Sequence, residues 1–340
     1  MELVLIVVGL GAVAISTLVI FGYLLFIWWL DRYEREPLWL VMLTFVWGAL
    51  GGTALGCMIS LFLSVPMTML VPAVYSELAL TVGIAPLAEE FTKGLIFVLL
   101  ILTPHLDNET DGLIYGAAAG LGFAAVENVL YFLAFAAAGP EVFFATVVMR
   151  TLFTSLVHAI STALLGYTVG YVRHRQLKPW LWALPILGFV LAVVNHAFWN
   201  LMAVVSGSQF LSDAMSAGAL GIGMLFVVLM GATMFAITQF SLMREHKIIR
   251  RYLRDEAQQG TLPKEHAEII PSWRKRRKKG WLSPHIPHEE YVEAATLLAF
   301  RRYQTDTVAP RYRDSYNEGV EEYRQKVRQL NNQTARGQTG

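Results

Sequence analysis

The stretch Pro-Leu-Ala-Glu-Glu-Phe-Thr-Lys, residues 86–93, places three charged side chains near the middle of an apolar segment that runs from about Leu78 to Thr103. A helix of about 20 apolar residues crosses a bilayer, so this segment is long enough to span a membrane. A carboxylate at mid-depth costs roughly 2.5–3.5 kcal/mol on insertion scales, and such residues usually serve a function. On a helix, Lys93 lies at i+4 from Glu89 and at i+3 from Glu90, and it can reach either carboxylate. A purely structural ion pair would need only one acid, so we interpret the cluster as functional.

Composition places the chain among membrane proteins that cross the bilayer several times. Its 340 residues are 55% hydrophobic, with a mean hydropathy of +0.48. Charge is distributed unevenly, because residues 244–340 carry 20 of the 27 lysines and arginines. We therefore divide the chain into a transmembrane domain, residues 1–243, and a basic tail, residues 244–340. The single cysteine, Cys57, excludes an intramolecular disulfide.

Apolar segments of bilayer length predict the fold class, an all-α polytopic transmembrane helix bundle of about seven spans. The predicted spans cover residues 3–30, 38–63, 78–103, 112–138, 145–172, 180–205 and 214–240. The first has no basic region before it and no cleavage site, so we expect a retained helix rather than a signal peptide.

Basic residues in the loops predict the orientation of the spans. All of them follow spans one, five and seven, and they begin with Arg32, Arg35, Arg173, Arg175 and Lys178. The positive-inside rule makes that face cytoplasmic, with the N-terminus outside and the tail inside.

The tail combines a basic run with two stretches of helical composition. Residues 274–279 read Arg-Lys-Arg-Arg-Lys-Lys, which favours contact with anionic lipid headgroups over nucleic-acid binding, since no recognition fold accompanies the run. Tyr291 to Tyr303 and Asp314 to Leu330 are predicted to be helical. The end of the chain, Gln338 to Gly340, is predicted to be disordered, so we expect a partly helical, partly disordered cytoplasmic tail.

Further polar side chains lie at comparable depth in spans four, five and six. Span four carries Glu127 and Asn128, and span five carries Arg150 and His158. Thr154, Ser155, Ser161 and Thr162 flank His158 at helical spacing, which predicts a polar stripe facing inward. Span six adds His196 and Asn200, which share one helix face at i,i+4.

The residue types narrow the chemistry without deciding it. The chain contains no HExxH motif and no GxSxG elbow, and its spans contain no aspartate. A buried carboxylate can take a proton from water, and His or Asn donors can stabilise an oxyanion, so hydrolysis without a covalent intermediate is feasible. The same glutamates and histidines are ordinary metal ligands, so a bound zinc stays open as an alternative. A proton-coupled transporter is the alternative function, although no internal repeat supports it.

Four motifs in order resemble the PrsW family of intramembrane proteases. They are Glu-Glu-x-x-Lys at residues 89–93, Gly-Phe-x-x-x-Glu-Asn at residues 122–128, His158, and His-x-x-x-Asn at residues 196–200. The charged loop from Asp31 to Pro37 is also similar to that family. PrsW proteins belong to a glutamate-dependent superfamily with the type II CAAX prenyl endopeptidases and bacteriocin-processing proteins. The resemblance covers roughly residues 30–205.

The resemblance implies a glutamic intramembrane endopeptidase without a required cofactor. Glu89 resembles the water-activating glutamate, with Glu90 as its partner, and His196 and Asn200 match the motif attributed to oxyanion stabilisation. Prenyl endopeptidases carry histidine where this chain has Glu127, so His158 is expected to share in water activation. Lys93, Asn128 and Arg150 are expected to support these catalytic residues. The implied substrate is a single-span membrane protein, similar to an anti-sigma factor, in a bacterial cell membrane.

Overall fold

The computed structural model describes residues 2–173, 178–208, 211–308, 310 and 313–336, and no β-strand occurs in these ranges. The regular secondary structure in these ranges is helical, which confirms the predicted all-α fold class. The α-helices are α1 Glu2–Leu30, α2 Leu38–Val46, α3 Thr53–Leu70, α4 Ala73–Leu78, α5 Ala85–Gly94, α6 Ile96–Leu100, α7 Glu109–Phe135, α8 Pro140–Met149, α9 Ser155–Val172, α10 Leu184–Ser206, α11 Asp213–Gln258, α12 Lys264–Ile269, α13 Trp273–Arg276, α14 His288–Thr307 and α15 Arg313–Arg336.

Six helical segments in the described ranges are long and apolar enough to cross a membrane. They are Ile6–Leu30, Leu38–Leu70, Glu109–Phe135, Pro140–Val172, Pro179–Ser206 and Asp213–Gln258. These segments agree with six of the seven predicted spans. The predicted span that carries the acidic pair is instead divided among short helices from Ala73 to Leu100.

In the described ranges, widened π-helical segments interrupt two of these spans, at Trp47–Gly52 and Arg150–Thr154, and a third π-helical segment, Ala79–Ile84, directly precedes α5. Two of them directly precede helices that carry site residues, α5 and α9. π-Segments often occur at functional sites, because the extra residue rotates the side chains that follow and releases a backbone carbonyl.

The chain divides into two compact units. The first comprises Met1–Trp29, Glu36–Arg173 and Pro179–Ala236, and the second comprises Leu30–Arg35, His174–Lys178 and Ile237–Gly340. The division falls inside α11, seven residues before the boundary predicted from composition.

Helix α7 lies at the centre of the first unit because its small residues allow close approach on two sides. A Cβ at Gly120 would lie 2.2 Å from the carbonyl oxygen of His158, and one at Gly122 would lie 1.9 Å from that of Phe45. Only glycine permits these contacts with α9 and α2. The close packing sets the position of His158 against α7.

The second unit has an apolar core of its own, formed by α14, α15 and the C-terminal part of α11. Fully buried side chains include Leu253, Tyr291, Leu298 and Val327. Helices α14 and α15 confirm the two predicted helical stretches. Residues 338–340, predicted to be disordered, lie outside the described residues.

Candidate active site

Glu90 is the most enclosed carboxylate of the candidate site. Its side chain is fully buried, and one oxygen, Oε1, accepts from Lys93 Nζ at 2.7 Å and from His196 Nδ1 at 2.9 Å. The other oxygen, Oε2, accepts from Thr162 Oγ1 at 2.9 Å. Because both oxygens already have strong donors, Glu90 is suited to holding Lys93 and His196 in place.

Glu89, the neighbouring carboxylate, is less engaged. Its Oε2 atom is buried and has no hydrogen-bond partner among the described residues. Two nitrogen atoms near it, Lys93 Nζ at 3.7 Å and His196 Nε2 at 3.8 Å, lie beyond hydrogen-bond distance. A buried polar atom without a partner is rare, and a bound water, an ion or a catalytic role commonly accounts for it.

The ring of His196 is oriented by Glu90. When neutral, its Nδ1–H donates to the Glu90 carboxylate, so Nε2 carries the lone pair and faces Glu89. Histidine ligands and bases are often fixed in one tautomer by such a carboxylate contact.

His158 joins the acidic pair to Glu127. The Lys93 ammonium has only hydrogens to donate, so His158 Nδ1 accepts at 2.9 Å, and Nε2–H then donates to Glu127 Oε2 at 2.7 Å. The ring is fully buried and lies 4.7 Å from the His196 ring, nearly perpendicular to it. A continuous chain of contacts therefore connects Glu90 with Glu127.

Arg150 holds Glu127 directly, and Asn128 accepts a hydrogen bond from Arg150. Arg150 begins a π-helical segment and donates to Glu127 Oε2 at 2.5 Å and to Asn128 Oδ1 at 3.1 Å. The Asn128 amide nitrogen in turn donates to Ser16 Oγ and Ser155 Oγ, each at 3.1 Å. The carboxylate of Glu127 is thus committed to His158 and Arg150.

Asn200 contacts the π-helical segment before α5. Its Nδ2 atom donates to the carbonyl oxygen of Thr81 at 3.0 Å, inside the π-helical segment Ala79–Ile84. The structure brings together five of the six predicted catalytic residues and all three supporting ones, and it engages the Asn200 amide at the turn before α5.

Two contacts of the site were missed by sequence reasoning. Ser16 reaches Asn128 from α1, and the ring of Phe123 lies 4.1 Å from Lys93 Nζ. A lone serine in an apolar span carries no distinguishing signal. The phenylalanine belongs to the Gly-Phe motif, which marks its position without indicating that it faces a cation.

Three side chains of the site are arranged as a metal could use them. Glu89, His158 and His196 each offer a ligand atom, and these atoms all lie within 4.8 Å of one another. Carboxylate and imidazole are common zinc ligands. The unpartnered oxygen of Glu89 agrees with this use, whereas both ring nitrogens of His158 already have partners.

Comparison with known proteins decides the family. Residues 36–239 match the family described as PrsW family intramembrane metalloprotease. The chain belongs to the PrsW family. The PrsW protease of Geobacillus kaustophilus is 31% identical over 176 residues, 51% of this chain and 72% of that protein. The PrsW protease of Oceanobacillus iheyensis is 30% identical over 174 residues, 48% of this chain and 70% of that protein. The Clostridioides difficile PrsW protease is 39% identical over 103 residues, 30% of this chain and 42% of that protein. No solved structure matches.

Membership in the PrsW family confirms the predicted activity. The protein is an intramembrane protease, and nothing in the comparisons supports the transporter alternative. The family and the apolar helices also indicate a multi-pass membrane protein.

Proposed function

We propose that the protein hydrolyses a peptide bond of a membrane-protein substrate with a water molecule activated by Glu89. The observation that carries this proposal is the division of roles between the adjacent acids. Glu90 has donors on both oxygens, whereas Glu89 keeps a buried oxygen without a hydrogen-bond partner in the described part of the chain. A base has to be free to accept a proton, and only Glu89 of this pair meets that condition.

His196 is placed to orient the attacking water together with Glu89. Both the Glu89 carboxylate and the Nε2 lone pair of neutral His196 accept hydrogen bonds, and they lie 3.8 Å apart. A water molecule against them donates one hydrogen to each and directs its oxygen lone pairs outward, towards a substrate carbonyl.

The hydrolysis then proceeds with ordinary proton balance. The water oxygen bonds to the carbonyl carbon while Glu89 takes the proton, and the C–N bond breaks as that proton passes to the leaving amine. The Asn200 amide has two hydrogens and uses one for Thr81, so oxyanion stabilisation by the second remains part of the proposal.

A divalent metal ion fits the same residues. Glu89, His158 and His196 would hold it, with one partner of the His158 ring displaced. The ion would act as a Lewis acid and lower the pKa of a bound water. In either case, Glu90 fixes the His196 tautomer, and Glu127 with Arg150 fixes His158.

The depth of the site favours cleavage near the outer face of the membrane. Glu127 lies eight residues before the end of α7 at Phe135, about 12 Å along the helix, and His196 lies ten residues before the end of α10 at Ser206, about 15 Å along it. The loops after these ends contain no lysine or arginine, whereas basic residues occupy the opposite face. By the positive-inside rule, the N-terminus is then outside and the C-terminal unit cytoplasmic.

The proposed substrate is a single-span protein of the same bacterial membrane, similar to an anti-sigma factor. A site in the outer half of the bilayer suits a bond near the outer end of a substrate helix. We propose this class because a lone helix can approach the first unit laterally within the membrane.

The experiment is cleavage of candidate single-span proteins by purified enzyme in proteoliposomes. Glu89→Gln is nearly isosteric but cannot act as a base, so cleavage should fall at least about 100-fold. Glu77→Gln, an exposed carboxylate on α4, is the matched control and should cleave normally. Normal cleavage by Glu89→Gln at normal abundance would show that another group is the base.

Exhaustive chelation, with bound metal measured in parallel, distinguishes a metal-free site from a site that holds a divalent metal ion. Stoichiometric zinc whose removal abolishes cleavage and whose return restores it would establish the metal form. Unchanged cleavage by metal-free protein would establish hydrolysis by the carboxylate and imidazole groups alone.

A further inference from the structure

The basic run at residues 274–279 presents five cations on the surface of the second unit. Within this run, Arg276 is partly buried. The other five residues are exposed: Arg274, Lys275, Arg277, Lys278 and Lys279. Helix α13 holds the first part of the run, and Gly280 ends it with a backbone φ of 91°. The run is therefore an ordered surface feature.

These five cations differ from five other basic residues of the second unit, which have acidic partners. None of the five forms an ion pair with a described residue. Five cations elsewhere in this unit do have acidic partners: Arg250 and Arg254 pair with Glu268, Arg302 and Arg324 with Glu256, and Lys326 with Glu290. Lys247, Arg251, Lys264 and Arg328 also lack an ion pair with a described residue, but they are spread over residues 247–328, whereas residues 274–279 place five such cations within six positions.

The run is fastened to the loop that follows the first span. The guanidinium of Arg276 donates to the carbonyl oxygen of Arg32 and lies 5.2 Å from the ring centroid of Tyr33. The hydroxyl of Tyr33 donates to the carbonyl oxygen of Pro271 at 3.0 Å, just before α13. Arg32 is only two residues beyond Leu30, where α1 ends, so these contacts join the run to the part of the chain that directly follows the first span.

Trp273 adds an aromatic ring to the same surface. The guanidinium carbons of Arg277 and Arg32 lie 4.6 Å and 5.4 Å from its ring centroid. Tryptophan favours the interface between water and lipid, where an apolar ring meets polar headgroups.

We propose that residues 273–279 form a docking surface for the headgroups of anionic phospholipids. Unpaired cations joined to the loop that follows the first span, beside a tryptophan, match the negative surface of a membrane. Each lysine or arginine near such a surface strengthens attraction by about fivefold. The run contacts lipid directly and holds the second unit against the membrane surface, independently of peptide hydrolysis in the first unit.

The test uses the full-length protein in nanodiscs of phosphatidylcholine, with or without phosphatidylglycerol. Amide hydrogen exchange across residues 272–282 should slow at least about fivefold when phosphatidylglycerol is present, the contribution of a single cation. The triple variant Arg274→Gln, Lys275→Gln, Lys278→Gln should lose this protection. The three side chains are exposed, so exchange in α14 should stay unchanged and show that the variant folds.

A matched triple variant removes the same charge elsewhere in the unit. Arg250→Gln, Arg254→Gln, Lys326→Gln neutralises cations that already have acidic partners, and it should keep the protection. Equal exchange in both kinds of nanodisc, or equal loss in both variants, would overturn the proposal. Protection by inorganic phosphate in phosphatidylcholine nanodiscs would identify a free-anion site instead. Protection there by a short RNA, without any effect of phosphatidylglycerol, would identify a nucleic-acid surface.

Discussion

Replacement of Lys93 by methionine tests how the buried charges of the site are balanced. The ammonium group is fully buried and lies 2.7 Å from Glu90 Oε1, which is also fully buried. Lys93→Met keeps an unbranched side chain but leaves the Glu90 carboxylate with His196 and Thr162 as its remaining donors. Breaking a buried ion pair by removing one partner typically costs about 3–5 kcal/mol, so we expect a loss of that size.

A double variant separates loss of charge balance from loss of packing. In Lys93→Met with Glu90→Gln, no unbalanced charge remains at this pair, so the double variant should recover at least about half of the stability lost in Lys93→Met. The coupling energy of the double-mutant cycle equals this recovered part, at least about 1.5–2.5 kcal/mol, plus the cost of Glu90→Gln by itself. Cleavage should not recover, because the glutamine no longer presents a carboxylate to the Nδ1–H of His196.

The assay is unfolding of the protein in mixed micelles by increasing fractions of sodium dodecyl sulfate, with cleavage measured on the same samples. Lys264→Met, an exposed lysine, serves as the control and should change stability by less than about 0.5 kcal/mol. Additive effects of the two substitutions would refute the reasoning, because they would show that Lys93 and Glu90 do not balance each other.

Three further predictions follow from particular contacts. Gly112→Ala should destabilise the first unit by about 1–3 kcal/mol in the same unfolding assay, since its Cβ would lie 2.0 Å from a carbonyl oxygen of α9, whereas Gly22→Ala meets nothing within 4 Å and should be nearly neutral. Asn200→Ala should lower kcat about 100-fold at nearly unchanged KM if its amide stabilises the oxyanion, whereas loss of the Thr81 contact alone predicts about 1 kcal/mol less stability and a near-normal kcat. Burial and the neighbouring Glu245 carboxylate raise the pKa of Asp31 well above its usual range, so the folded second unit binds this proton more tightly than the unfolded chain does. Its stability, followed by hydrogen exchange, should therefore fall as the pH rises above about 4 towards neutrality, and Asp31→Asn should flatten this dependence.

The positions of the spans follow from the sequence because hydropathy and helix rise are local properties. Six predicted spans agree with helical segments of the structure, and α7 begins at Glu109, three residues from its predicted start. Depth also follows from the sequence, since each residue adds about 1.5 Å along a helix. Residues that the sequence places at similar depth in different helices lie close together in the structure. Glu90 contacts His196 directly, and Lys93 connects it with His158.

The partners within the site could not be derived in this way. Depth places a side chain along a helix, but the rotation and packing of helices decide which groups touch. Close packing through Gly120 brings His158 against α7, and the π-helical segment at Arg150 turns that side chain towards Glu127. The contact of Asn200 with Thr81 likewise depends on a backbone carbonyl in a π-helical turn, and no residue pattern in the sequence predicted that turn.

The second unit shows the same limit more strongly. Its mixed and polar composition predicted a partly disordered tail with two helices, because no segment is apolar enough to suggest a core by itself. The core assembles from residues far apart in the chain, such as Leu253, Leu298 and Val327. Sequence alone determined six segments that are long and apolar enough to cross a membrane, and the residue types that they carry. Tertiary structure decided which of those residues pair, because pairing depends on the packing of helices that are distant in sequence.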